Sequence, residues 1–435
     1  MKKVLIITYY WPPAGGAGVQ RWLKLCNYLL ENNIQPIVIT VDEKVASYPL
    51  YDYSLEKELS PNVIVYRTKS FEILNLYKRL SPKKQIPYAG FTNENKSGLI
   101  QKISKFVRGN FFIPDARIGW NKYALEKAKE IILAHNIKTV ITTSPPHSSQ
   151  LIGLELKKVL NINWIADLRD PWTEIFYYKE FNHTNWAKKK DALFEKTVLE
   201  KSDSIITVSD FIKERFVSKS LKPISNKTFV IPNGYDQNDF ENIPMSKNNG
   251  FRLVYTGTLS NDYPISLMIK ALTNLSSISK FQEMFALDFF GNASLSIQEK
   301  FNVIPNLKIK FHPHVSHSQS ISELLNSEVL LLIIPQAKNN KGILTGKLFE
   351  YLAAKKTIVA IGPADGDAAE IIEQCGAGKM FDYTDLNGLF NYLNEIFSQF
   401  LELGKVETYH IDTLIKKYSR THQAKQLADI IGLAD

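Results

Sequence analysis

Lys347 and Glu350 lie one helical turn apart in the stretch LTGKLFEYLAAKKTIVAIGPADGDAAEII, residues 344–372. A turn over Thr345-Gly346-Lys347 feeds a short helix, LFEYLAAK, with one apolar and one acidic face. A buried strand over Thr357–Ile361 follows, then a Gly/Pro/Asp loop, Gly362–Asp367, and a second helix from Ala368. Where helix N-termini meet strand C-termini, unpaired N–H groups and the positive helix pole favour anions. Two such corners, with a lysine in one and a glutamate on the helix, suit a phosphorylated, hydroxyl-rich ligand.

Other residues carry chemistry further upstream. Asp167-Leu-Arg169-Asp170 follows a strand expected over Asn163–Ala166. Two carboxylates and an arginine at a strand's C-terminal end bind hydroxyls or handle a proton. The alternative is an internal ion pair, Arg169 with Asp167 or Asp170, that caps the strand. His147, in Ser144-Pro-Pro-His147, follows the strand Thr139–Thr143 in the same manner and is a candidate for proton transfer. A lone loop histidine is more often incidental. The first loop, Trp11-Pro-Pro-Ala-Gly-Gly-Ala-Gly18, has glycine at 15, 16 and 18, where the backbone can approach a ligand closely. Arg21 follows in the first turn of the next helix, at the place where a dinucleotide fingerprint needs its third glycine. The plainer reading of this loop is a tight strand-to-helix turn.

These residues need a scaffold of alternating strands and helices, and the chain supplies one. Solid Val/Ile/Leu runs at Lys3–Thr8, Ile37–Val41, Val63–Arg67, Ser204–Val208 and Thr228–Ile231 read as strands buried on both faces. Parallel strands of that kind need helical crossovers. After a polar linker candidate at 237–250 the alternation restarts with Arg252–Thr256, Ala286–Phe290, Lys308–Phe311 and Val329–Ile334. A final helix is expected from about Asp412 to Ile431. The fold class is therefore α/β, with two Rossmann-like parallel-sheet domains facing a cleft. The domains are residues 1–235, joined by the C-terminal helix 412–435, and residues 236–411. Ligands of such sheets bind at the strand C-terminal ends, so the cleft is the expected site.

Residues 70–115 interrupt the alternation. Within them Leu99, Ile100, Ile103, Phe106 and Val107 fall at helical spacing over Gly98–Arg108, bordered by Lys96, Lys102, Lys105 and Arg108. Such a helix can lie on an anionic membrane surface, or it can be an ordinary surface helix packed on its own domain.

Composition sets outer bounds. The 435 residues, 44% hydrophobic and 22% charged, describe a globular protein of two domains. A net charge of +9 favours anionic partners without choosing among them. Cys26 and Cys375 have neither metal-site spacing nor the density of a disulfide scaffold, which points to a reducing, cytoplasmic setting. The N-terminal run VLIITYYW is short for a signal peptide and reads as a first strand, and no run is apolar for long enough to span a membrane.

The order Pro-Pro-x-Gly-Gly in the first loop, IPNGYDQNDF at 231–240, LVYTGTLS at 253–260 and KLFEYLAAKKTIVAI at 347–361 resembles a bacterial family-4-type glycosyltransferase of the GT-B fold. The resemblance runs over essentially the whole chain. It implies a retaining hexosyltransferase that takes sugar from a UDP- or GDP-linked donor to a hydroxyl acceptor, with no cofactor and no catalytic metal. The donor would lie mainly on the C-terminal domain and the acceptor mainly on the N-terminal one. By position, Glu350 matches the glutamate that holds the nucleotide ribose, and Gly15 and Gly16 match first-loop glycines that approach the donor phosphates. Gly257 and Thr258 fall on the donor side as well.

Three departures stand out. Gly342 occupies the place of the first glutamate of the pair, Thr258 that of an arginine, and the Asn261-Asp-Tyr263 region that of a lysine. Lys347 is the substitute for the missing phosphate-binding pair, facing the diphosphate while Glu350 faces the ribose. Arg21 adds charge from the other domain. Asp167, Arg169 and Asp170 then lie on the acceptor side, and Lys347, Asp170 and His147 are the catalytic candidates. Expected partners are a nucleotide sugar, a sugar or lipid-linked acceptor of envelope polysaccharide or lipopolysaccharide synthesis, and an anionic membrane surface. That would make it a peripheral enzyme of the inner membrane face. Competing readings are a GT-B nucleotide-sugar epimerase and a non-catalytic sugar-nucleotide-binding relative. A nicotinamide dehydrogenase lacks its fingerprint, and nucleic-acid binding rests on net charge alone.

Overall fold

The apolar runs form strands covered on both faces, as parallel sheets require. Val4, Leu5, Ile6 and Ile7 are fully buried, as are Leu330, Leu331 and Leu332 in the second half. The computed structural model describes residues 1–71, 99–241, 243–244, 250–261 and 263–433, the side chains of 99–104 and 176–177 excepted. The chain divides into two compact units, 1–232 with 420–435, and 233–419.

The first unit contains β1 (Lys2–Ile7), α1 (Ala17–Glu31), β2 (Ile34–Val41), β3 (Ile64–Thr68), α2 (Leu99–Phe111) and α3 (Asn121–His135). It continues with β4 (Thr139–Ser144), α4 (Ser148–Val159), β5 (Asn163–Leu168), α5 (Asn185–Lys201), β6 (Ser204–Thr207), α6 (Asp210–Lys219) and β7 (Thr228–Val230). Its parallel sheet has the order β3-β2-β1-β4-β5-β6-β7. The two-residue period of a strand sends Leu5 and Ile7 into one core layer and Val4 and Ile6 into the other.

The second unit carries β8 (Phe251–Thr256), α7 (Ser266–Leu275), β9 (Phe285–Phe290), α8 (Leu295–Asn302), β10 (Lys308–His312), α9 (His317–Leu325) and β11 (Val329–Ile333). Then come α10 (Gly346–Ala354), β12 (Thr357–Ile361), α11 (Asp367–Gln374), β13 (Gly378–Phe381) and α12 (Leu386–Leu403). Its sheet is parallel too, ordered β10-β9-β8-β11-β12-β13. The chain returns to the first unit with α13 (Arg420–Gly432), whose Ala424, Leu427 and Ile431 join Trp22, Leu25 and Leu29 of α1 in one core layer.

Three local features differ from the sequence expectation. The final helix is broken, because Ser419 is extended and Tyr235 N donates to Tyr418 O at 3.1 Å, drawing that backbone into a bridge. The polar stretch 237–250 falls inside the second unit, where Gln237–Phe240 is a 3-10 turn; residues 242 and 245–249 lie outside the described residues. A further strand, β13, extends the second sheet. In the 98–108 segment, Lys96 and Gly98 lie outside the described residues, as do the side chains of Leu99, Ile100, Lys102 and Ile103. The rest of α2 packs on its own unit. Lys105 pairs with Glu180 at 3.1 Å, and Arg108 lies 5.5 Å from the centre of the Phe181 ring.

Candidate functional site

In each sheet the strand order reverses at one point, between β1 and β4 in the first unit and between β8 and β11 in the second. Loops leaving the strand C-termini diverge there and open a crevice. The first-loop glycines and His147 follow β1 and β4 at the first of these points, and Gly257 follows β8 at the second.

In the second unit, β8 ends at Thr256 and the chain turns at Gly257 with φ +108, a left-handed conformation that favours glycine. A Cβ there would lie 3.1 Å from Lys347 Nζ, so the glycine also makes room for the lysine. Lys347, in the first turn of α10, donates to Tyr255 Oη at 2.8 Å, and its ammonium lies 4.0 Å from that ring's centre. Tyr255 Oη in turn donates to Thr258 O at 2.9 Å, which fixes the loop after β8. Burial pulls the Lys347 ammonium down to about 7, with Glu350 acting in the opposite direction. Thr345 precedes α10 as its N-cap but makes no capping bond, and its Oγ1 is buried without a hydrogen-bond partner. A buried hydroxyl left unpaired carries a desolvation cost that a bound ligand removes. A lysine, a free hydroxyl and a helix N-terminus together can hold an anion.

Glu350 lies one turn further along α10, with its Oε1 3.1 Å from His317 Nε2. Gly342, where a glutamate was expected, is buried in a 3-10 turn. The corner at Gly362–Asp367 packs against the turn that carries Lys341. Lys341 pairs with Asp365 across it, and a Cβ on Gly366 would meet Lys341 O at 2.9 Å. Asn261 is occupied as well, accepting from Ser294 Oγ at 2.6 Å; residue 262 lies outside the described residues.

In the first unit, Gly16 (φ +111) opens α1, and Gly15 N donates to Leu50 O at 3.0 Å. Arg169 reaches across from the β5 loop to the first turn of α1, where a Cβ on Gly18 would lie 1.9 Å from its Nη1. Its Nε donates to Ser144 O at 3.0 Å. His147 immediately precedes α4, and its ring stacks on Trp172 with centres 4.7 Å apart. Burial pushes this imidazole down to about 3, and the Arg169 and Lys219 charges act in the same direction. It is therefore neutral near pH 7, and its Nδ1 is buried without a partner. Trp172 is anchored by Asp191, which accepts from its Nε1 at 2.8 Å. Asp170 lies beside this group; burial raises its pKa while Arg169 opposes the rise.

Two assignments are corrected. Arg21 does not face a ligand, because its side chain is 1% exposed and lies 3.6 Å from the fully buried Asp167. It donates to Pro232 O at 2.5 Å and Ile231 O at 2.9 Å, tying α1 to the end of β7. Asp167 likewise leaves the acceptor side, since its Oδ2 accepts from Trp22 Nε1 at 2.9 Å and Thr143 Oγ1 at 2.7 Å. An interior ion pair was foreseen, but with Arg169 as its cation. The histidine on Glu350, the phenol on Lys347 and the tryptophan under His147 had no mark in the sequence. Each is a contact between elements distant in the chain. Among the described residues, no group of three or more His, Cys, Asp or Glu is arranged to hold a metal ion, and no helix is long and apolar enough to cross a membrane.

Residues 90–239 match the family model described as Glycosyltransferase Family 4. No curated protein matches the chain. Among solved structures, sucrose-phosphate synthase from Thermosynechococcus elongatus is similar with a TM-score of 0.62 at 14% identity, covering 100% of this chain and 99% of that one. HepE of Anabaena in complex with UDP-glucose superposes with a TM-score of 0.61 at 12% identity, covering 100% of both chains. The lipopolysaccharide outer core galactosyltransferase WaaB gives a TM-score of 0.58 at 11% identity, covering 99% of both chains. At these identities the likeness is one of fold.

Proposed function

We propose that this family-4-type glycosyltransferase of the GT-B fold moves a hexose from a UDP- or GDP-linked donor to a hydroxyl acceptor with retention of configuration. The observation that carries the reading is Lys347, a half-buried lysine that donates to Tyr255 and lies beside Gly257, where the strand order of the second sheet reverses. A nucleotide sugar as partner is supported by HepE, whose structures hold UDP and UDP-glucose.

The reaction breaks the bond between the anomeric carbon and a phosphate oxygen, and the electron pair leaves with the diphosphate. Lys347 and the N-terminus of α10 meet that charge, which is the contribution a catalyst must make as the leaving group departs. The acceptor hydroxyl forms the new bond on the same face and gives its proton to the departing phosphate oxygen. In this reading the reaction is metal-independent, because the lysine supplies the positive charge. His147, as a neutral imidazole, and Asp170 position the acceptor hydroxyl in the first unit. Arg169, held on Ser144 O, sets the wall between them and α1. The acceptor is a glycan or lipid-linked sugar of the cell envelope; WaaB, a lipopolysaccharide galactosyltransferase, supports that class. We place the enzyme peripherally on an anionic membrane surface, a placement supported by the net charge of +9.

The test is turnover. Lys347→Ala should lower acceptor-dependent nucleotide release by about two to three orders of magnitude while the fold is retained. Near-normal release by that variant would sink the assignment.

A further inference from the structure

Glu350 is held by a residue that none of the sequence motifs contains. His317 opens α9, and Ser316 fixes that first turn by accepting from Gln319 N at 3.2 Å. Its Nε2 lies 3.1 Å from Glu350 Oε1, and its Nδ1 lies 3.9 Å from Asp239 Oδ2. Asp239 belongs to the 3-10 turn Gln237–Phe240 of the IPNGYDQNDF segment. Asp236 caps this turn, accepting from Asn238 N at 3.1 Å. Three segments distant in sequence therefore converge on one imidazole.

The arrangement treats the two oxygens of Glu350 differently. Oε1 is taken by His317, whereas Oε2 makes no hydrogen bond among the described residues. A carboxylate on a flexible stem must lose rotamer freedom to accept from a ligand. One that is already anchored through one oxygen presents the other in a fixed direction. Discrimination by such a group is strong, because a ligand lacking the matching hydroxyl leaves the anchored acceptor unpaired.

We propose that His317 is a positioning residue that aims Glu350 at the ribose hydroxyls of the bound nucleotide and so makes the site select ribonucleotides over 2′-deoxyribonucleotides. The inference rests on the reading of the second unit as the nucleotide site. The donors used would then be ribonucleoside-diphosphate sugars, and deoxyribonucleotide-linked sugars would be poor ones.

The test is a titration calorimetry series with UDP and 2′-deoxy-UDP, and with GDP and 2′-deoxy-GDP, on the full chain. The wild type should bind the preferred ribonucleotide roughly tenfold or more tightly than its deoxy counterpart, the effect expected for a hydrogen bond to a charged group. In His317→Ala the ratio should fall toward one, chiefly by weaker binding of the ribonucleotide. His317→Gln keeps an N–H that can reach Glu350 and should restore most of the ratio. A merely structural role would weaken both members of a pair equally with the ratio unchanged, and that result overturns the proposal. So does an unchanged ratio at unchanged affinity. Failure of the wild type to bind any of the four nucleotides would remove the underlying site reading as well, which separates the two failures.

Discussion

Lys347 spends its time in a place where an ammonium is poorly solvated, and burial brings its pKa to about 7. Before a ligand arrives, about half of these side chains are neutral at that pH. A diphosphate favours the charged form, so its binding draws a proton onto every lysine that lacks one. Below pH 7 the lysine already carries its proton and affinity is flat from this source. Above pH 7 affinity should fall about tenfold per pH unit until the pKa of the occupied site is reached. Calorimetry with UDP-glucose between pH 6 and 9, in buffers of different ionisation heat, should show that decline together with proton uptake. Unchanged affinity and no uptake between pH 7 and 9 would contradict it. His147 adds nothing in this window, because burial holds it at about 3. The spacing of Lys347 and Glu350 was legible in the sequence, since one helical turn is a local relation. The phenol that receives Lys347 was not, because Tyr255 reads there only as another apolar strand residue. Arg21 shows the limit more sharply. Its position in the first turn after the glycine loop was evident, yet its direction depended on Asp167 and the end of β7, which only the folded sheet brings to it.

Helix α5 inverts the usual rule of which face is covered. It buries Asp191 and Glu195 and leaves Trp186 and Leu193 each 61% exposed. The buried acids are satisfied, Asp191 by Trp172 and Tyr178, and Glu195 by Thr173 and Lys219. Hydrophobic periodicity cannot anticipate such a face, since it assumes that the apolar stripe turns inward. On the exposed side Lys188 and Lys189 accompany Trp186, and the Lys190 ammonium lies 4.8 Å from the centre of the Trp186 ring. Thr184 N donates to Asn110 Oδ1 at 2.6 Å, which joins the start of α5 to the end of α2, where Phe111 is 72% exposed. The basic amphipathic helix seen in the sequence is thus one part of a wider surface with exposed rings and lysines. Aromatic and basic side chains in combination bind the headgroup region of anionic bilayers. The protein should float with vesicles of phosphatidylcholine and phosphatidylglycerol, less so at high salt, and poorly with phosphatidylcholine alone. Trp186→Ala combined with Leu193→Ala should lose most of that binding. Equal flotation by the double variant would exclude this face.

At the scale of the molecule, both parallel sheets were readable because their strands are solid apolar runs and their connections carry helical spacing. The strand β13 escaped because GKMF is short and begins with a glycine. The broken final helix escaped because Ser419 is held extended by a partner, Tyr235, from the far end of the second unit's sequence. The Lys347 corner lies at a strand-order reversal, and at the second corner, Gly362–Asp367, Lys341 pairs with Asp365. What remains decisive is whether that first corner holds a nucleotide sugar. The direct measurement compares the melting temperature of wild type and Lys347→Ala across a panel of UDP- and GDP-linked sugars. A ligand that binds only the folded state raises its melting temperature. At least one donor should stabilise the wild type and lose most of that effect in the variant. A donor that stabilises both equally, or a wild type that responds to none, would contradict the account.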